Sequence, residues 1–213
     1  MLNKKERTNK AIAALKQLYP DAKCSLTSYN ALQLLIATRL SAQCTDARVN
    51  LITPALFERY TSLKDFSEAE VEEVESYIHS CGLYTTKARD IVAMTKMLRH
   101  VYNGVIPDTV DELIKLPGVG RKTANLIVGD VFGKPAVVTD THCIRISNRL
   151  GICNTKDPYK VEMELRDLLP PEESNAFCHR IVLFGRDICS ARKPRCNVCP
   201  MQEYCPEYIA GKA

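Results

Sequence analysis

Cys189, Cys196, Cys199 and Cys205 follow the pattern C-x6-C-x2-C-x5-C, four thiolate donors within 17 residues. Soft sulfur donors crowded in this way bind a metal. Structural zinc sites commonly pair two ligand knuckles, whereas this window has one C-x2-C flanked by single cysteines, a looser wrap that suits an iron–sulfur cluster. Pro200 and Pro206 directly follow two of the cysteines, as Pro does in ferredoxin-type runs. Zinc stays open as the structural rival. The remaining cysteines, at 24, 44, 81, 143, 153 and 178, stand singly in predicted helices, where a free thiol behaves as a small buried hydrophobe.

A second chemical feature is the run Pro117-Gly118-Val119-Gly120-Arg121-Lys122. Thr109-Val110-Asp111-Glu112 has a capping-box pattern that opens a short helix running to Leu116. The Pro-Gly-Val-Gly turn follows, and Arg121 starts the next helix. Gly118 and Gly120 can take positive φ and lack a Cβ, so backbone N–H groups can close on an anion at the positive end of that helix. Arg121 and Lys122 add two formal charges. A DNA phosphate suits such a grip, which is indifferent to base sequence; a plain glycine-rich corner with a solvated Arg-Lys pair is the bland reading. Further on, Val137-Val138-Thr139-Asp140 ends an apolar run at a carboxylate, which most simply caps a helix running through Leu150.

The elements that carry these residues are helical. Apolar residues recur at helical spacing, as at Ala88, Ile91, Val92, Thr95 and Leu98, or Phe177, Ile181 and Phe184. Breakers at Pro20, Pro54, Gly82, Gly104, Pro107, Gly133, Gly151 and Pro170-Pro171 cut the chain into about ten helices. Ala136–Thr139 is the one strand-like run, too short for a sheet. The fold class is therefore all-α. With 213 residues, 46% hydrophobic and 25% charged, the chain can bury one or two cores. A net charge of +4 permits a polyanionic partner without requiring one. No long apolar stretch marks a leader or a membrane span, so a soluble, cytoplasmic protein without membrane association is expected.

Leu116–Asn125 (LPGVGRKTAN) with Val138–His142 (VTDTH) resembles the helix-hairpin-helix and catalytic segment of the endonuclease III family. Asn148-Arg149-Leu150-Gly151, Leu40–Asp46 (LSAQCTD) and the C-terminal cysteines extend the resemblance over nearly the whole chain. It implies two helical domains flanking a DNA-binding cleft: a six-helix barrel over residues 23–135, with the helix-hairpin-helix at about 109–132, and a cluster domain from 1–22 plus 136–213. Lys122 matches the family's catalytic lysine and Asp140 its catalytic aspartate. The cysteines, in the loop 189–205, become ligands of a 4Fe–4S cluster. The activity implied is that of a bifunctional DNA glycosylase/AP lyase of base excision repair, removing oxidised or ring-saturated pyrimidines and nicking by Schiff-base β-elimination. Its partner is double-stranded DNA with damaged bases or abasic sites, its state monomeric, and its place the bacterial cytosol or nucleoid. Thr38, Arg39 and Thr139 depart from the family's usual apolar residues and bear on lesion preference.

An enzyme acting on a base must extrude it from the stack and fill the gap. By resemblance, Gln43 and Leu83 are the wedge candidates, although each reads alone as an ordinary helix-end or core residue. His142 suits a DNA backbone contact. Arg192, Lys193 and Arg195, in a loop tied at both ends by cysteines, form a positive projection for a second phosphate contact. Three other readings stand beside this one. A non-catalytic helix-hairpin-helix protein would bind DNA without cleaving it. A monofunctional mismatch (adenine) glycosylase would leave the strand intact; in such enzymes the lysine position is typically not lysine. A zinc-stapled structural protein would be colourless.

Overall fold

The computed structural model describes residues 2–211. Among these residues are twelve α-helices, three single-turn 3-10 helices and no strand. The helices are α1 (Lys4–Leu18), α2 (Ala31–Ser41), α3 (Asp46–Arg59), α4 (Leu63–Glu68), α5 (Val71–Ile78), α6 (Tyr84–His100), α7 (Val110–Leu113), α8 (Arg121–Asp130), α9 (Thr141–Arg149), α10 (Pro158–Leu168), α11 (Ser174–Asp187) and α12 (Pro206–Ile209). They form two compact units, Cys24–Gly133, and Met1–Lys23 with Lys134–Ala213.

In the Cys24–Gly133 unit, α2 is the hub. Leu34, Leu35, Ile36, Ala37, Thr38 and Leu40 are all buried, because α3, α6 and α8 pack around it. A helix apolar on every side belongs inside a core, and each such leucine or isoleucine contributes about 1.5–3 kcal/mol. Thr38 fits there because its Oγ1 donates to the Leu34 carbonyl at 2.7 Å. α6 buries Ala88, Ile91, Val92, Thr95 and Leu98 against α4 and α5, the stripe that the spacing predicts. Pro54 lies inside α3 instead of ending it. The helix continues because Val49, Thr53 and Leu56 are buried on one face, which outweighs the one backbone bond that proline cannot donate.

The other unit joins the two ends of the chain. α1 starts at a capping box, Asn3 Oδ1 accepting from Glu6 N while Glu6 Oε2 accepts from Asn3 N. It buries Thr8, Ala11, Ile12 and Leu15 and packs on α10 and α11. Residues 136–139 are buried but form no strand. Their partner is a helix face instead: Ala136 N donates to Ser174 Oγ at 3.1 Å and Val138 N to Cys178 Sγ at 3.2 Å, one turn apart on α11. Of the six scattered cysteines, Cys143 and Cys178 lie in helices, whereas 24, 44, 81 and 153 sit in loops. Cys24 and Cys44 are partly exposed. Loop positions beside packed helices bury a thiol as well as a helix face does, and that packing is invisible to periodicity.

Candidate catalytic and DNA-binding site

The hairpin forms where expected, with two differences. Thr109 Oγ1 accepts from Glu112 N, but the Glu112 carboxylate turns away from the cap to Lys115 Nζ and the Tyr102 hydroxyl. α7 ends at Leu113, and in the turn that follows Lys115 N and Leu116 N bond three residues back, to Glu112 O and Leu113 O at 3.1 Å. Gly118 takes φ +73°, whereas Gly120 has φ −90° and is the N-cap of α8. A Cβ on Gly118 would lie 2.6 Å from Arg39 Nε and 2.7 Å from Asp90 Oδ2. The hairpin thus rests on the Arg39–Asp90 ion pair, whose Nη2–Oδ2 distance is 2.6 Å. That contact explains the polar residue at 39. A Cβ on Gly120 would meet nothing within 4 Å, and as a glycine it puts no side chain over the first N–H groups of α8.

Lys122 is exposed in the first turn of α8. Its neighbourhood shows in Cys24, whose thiol is pushed up to about 11 by burial and by Asp130 and Asp46, with Lys122 opposing. Asp46, in the first turn of α3, accepts from Ser25 Oγ at 2.8 Å. Asp46, Asp130 and Lys122 thus all act on Cys24, a grouping with no marker in the sequence, because the loop at 24–25 and the starts and ends of α3 and α8 meet only in the fold.

Asp140 is the N-cap of α9, with Oδ1 accepting from Cys143 N at 2.7 Å. It terminates the segment that Ser174 and Cys178 hold, so its position is set from both sides. His142 is partly buried, its Nδ1 3.2 Å from Arg145 Nη2. Burial holds the ring below the usual histidine range, with Asp140 opposing and Arg145 and Arg186 adding to the effect. A Cβ on Gly185 of α11 would overlap this imidazole, so α9 and α11 cross at contact distance.

Gln43 and Leu83 share an uncommon backbone. Both are non-glycine residues at positive φ, +53° and +59°. Leu83 is the αL N-cap of α6 and is 57% exposed, so it is not the core contact of the bland reading. An apolar side chain thus faces solvent from a backbone conformation that costs a residue with a Cβ free energy. The two turns touch: Cys44 Sγ and Cys81 Sγ are 3.6 Å apart, and the Cβ position of Gly82 is 3.6 Å from Gln43 O.

Cys189, Cys196, Cys199 and Cys205 line one cavity with Ile146, Leu150 and Phe184, enclosing about 410 Å³ that includes its open mouth. A ring of four thiols around a cavity suits a polynuclear cluster. Arg149 Nη1 lies 3.3 Å from Cys189 Sγ and donates to Ser190 O at 2.7 Å, and Arg145 donates to Cys189 O at 2.9 Å. Two guanidiniums one turn apart on α9 thereby fasten the loop and offset thiolate charge. Arg192 and Lys193 are exposed. Arg195 is engaged, donating to the Asp187 carbonyl from Nε at 3.0 Å and pairing with its carboxylate.

Comparison with known proteins agrees with this layout. Residues 36–171 match the HhH-GPD superfamily of base excision DNA repair proteins, and residues 189–205 match the iron–sulfur binding domain of endonuclease III. The chain is similar to the endonuclease III of Synechocystis, 43% identical over 99% of this chain and 97% of that one. It is 46% identical to the endonuclease III of Bacillus subtilis, over 89% and 87% respectively. The solved structure of a trapped endonuclease III–DNA covalent intermediate, an estranged-adenine complex, superposes with a TM-score of 0.93 at 44% identity, covering 100% of both chains. With a cavity of four thiols in the window 189–205, a glycine hairpin opening α8 and relatives matched along nearly their full length, the chain belongs to the endonuclease III family, whose cofactor is a 4Fe–4S cluster.

Proposed function

We propose that the chain, by its family a bifunctional DNA glycosylase/AP lyase of base excision repair, removes oxidised or ring-saturated pyrimidines from double-stranded DNA with Lys122 as nucleophile and Asp140 as its carboxylate partner. Gly118, Gly120 and Arg121 seat a phosphate at the start of α8, and His142, Arg192 and Lys193 add backbone contacts. The Lys122 amine, once neutral, attacks the anomeric sugar carbon as the C–N bond to the base breaks and the base leaves with the bonding pair. Asp140 stabilises the cationic sugar and afterwards assists proton movement. Ring opening yields a Schiff base, which acidifies the neighbouring carbon. Loss of that proton expels the 3′ phosphate by β-elimination, and water then releases the lysine. Gln43 and Leu83 occupy the gap left by the extruded nucleotide. Cys189, Cys196, Cys199 and Cys205 would hold the cluster, which would fasten the C-terminal loop. The protein acts as a monomer.

The observation that carries this reading is the pairing of an exposed lysine in the first turn of α8 with the open, uncapped hairpin before it. Borohydride trapping tests it. Wild-type protein should give a covalent adduct with lesion-bearing duplex, and Lys122→Gln should abolish both adduct and nick while lesion binding persists. Asp140→Asn keeps a good N-cap for α9, so it should lose most base excision yet still nick an existing abasic site. An adduct with Lys122→Gln would move the nucleophile elsewhere; base release without any nick by wild type would make the enzyme monofunctional. A panel of single-lesion duplexes tests the substrate class, and oxidised guanine cleaved far better than oxidised pyrimidine would overturn it.

A further inference from the structure

Lys87 has no solvent exposure, and its Nζ donates to Leu40 O at 2.8 Å. That carbonyl lies in the last turn of α2, at the negative end of the helix where carbonyls lack intrahelical partners. The groups that act on its charge are the Cys81 and Cys44 thiols and the Arg39 guanidinium, a like charge, and desolvation lowers its pKa. A side chain such as methionine would fill the same space without a buried charge. What methionine could not do is bond the end of α2. Lys87 also has its backbone N–H on Leu83 O at 3.0 Å. One residue therefore grips Leu83 through its backbone and, through its side chain, a carbonyl three residues before Gln43.

We infer that Lys87 is a positioning residue for base extrusion, clamping the turn of Gln43 against the turn of Leu83 so that both enter the duplex as one rigid wedge. The inference rests on the wedge reading above. The thiol contact between the turns and the close approach of Gly82 to Gln43 O continue the same seam, so loosening it at Lys87 frees two strained turns together.

The test is a double-mutant cycle of Lys87→Met with Leu83→Gly, read by single-turnover excision from duplexes with a paired and a mispaired lesion. A 2-aminopurine beside the lesion reports unstacking. Lys87→Met should retain iron and affinity for undamaged duplex, slow excision of the paired lesion roughly tenfold and lose less on the mispaired one, whose unstacking is cheaper. In the Leu83→Gly background it should add little, because both act on one step. Equal losses on both duplexes, or fully additive losses, overturn the inference. If Leu83→Gly itself discriminates nothing, the wedge reading fails instead. Should Lys87→Met not fold, Lys87→Arg, which keeps the charge but displaces the donors, goes through the same cycle, and equal losses there overturn the proposal.

Discussion

Leu83 at φ +59° pays for its position twice, once in backbone conformation and once in exposed apolar surface. A left-handed conformation costs a residue with a Cβ about 1–2 kcal/mol. Leu83→Gly should therefore raise the denaturation midpoint or leave it unchanged, glycine also being the better N-cap, while excision of a paired lesion falls. Urea unfolding and single-turnover kinetics on the same preparation check both halves; a destabilised variant with intact excision would make Leu83 an ordinary packing residue. The residue-level site was unevenly legible. Asp140 could be read as a cap from its type and place, and the cysteine window from its spacing. Lys87 could not be read, because a lysine in a helical pattern looks like surface charge until tertiary packing shows what covers it. The strain at Gln43 and Leu83 was equally hidden, since neither residue type signals positive φ.

At the level of elements, the two hairpin glycines do different work and should fail differently. Gly118→Ala puts a Cβ at positive φ against Arg39 and Asp90, which should cost about 1–3 kcal/mol of stability. Gly120→Ala has room and an ordinary φ, so its cost should stay at or below about 1 kcal/mol, that of a poorer N-cap. Its methyl would nevertheless stand in the open space over the first turn of α8, where the phosphate is proposed to sit, and should weaken binding to undamaged duplex. Chemical denaturation with duplex titration separates the two; equal affinity for wild type and Gly120→Ala would take the phosphate away from this turn. Helix starts were legible because caps are local: Thr109 and Asp140 each bond the N–H three residues on. Helix ends were less so. α7 stops early because Lys115 N and Leu116 N bond three residues back, to Glu112 O and Leu113 O, whereas α3 runs through Pro54 because its buried face, a tertiary cause, holds it.

For the whole molecule, a net charge of +4 is too small to draw DNA by itself, so its affinity has to come from a few placed cations. The C-terminal loop can place two of them only if something other than burial holds it. Beyond Ile188, Met201 is the one residue in the fully buried class among those described, and what fastens the segment is the thiol ring together with Arg145 and Arg149. Cys199→Ser should accordingly lose iron and its visible colour, and protease should then cut between 189 and 211 before it touches α10 and α11, which pack on α1. The same logic gives a number for DNA. Replacing Arg192 and Lys193 by alanine should lower the slope of log affinity against log salt by about 1.8, since each duplex phosphate contact contributes about 0.9. Adding Arg195→Ala should change it little further, because that guanidinium is already held by Asp187. Cys199→Ser should lower the slope by a similar amount without any basic residue having been removed, because an unfastened loop no longer presents its two charges together. Titrations of undamaged duplex over a range of salt measure all three variants, and a slope unchanged in the Arg192/Lys193 pair would remove the loop from the DNA interface.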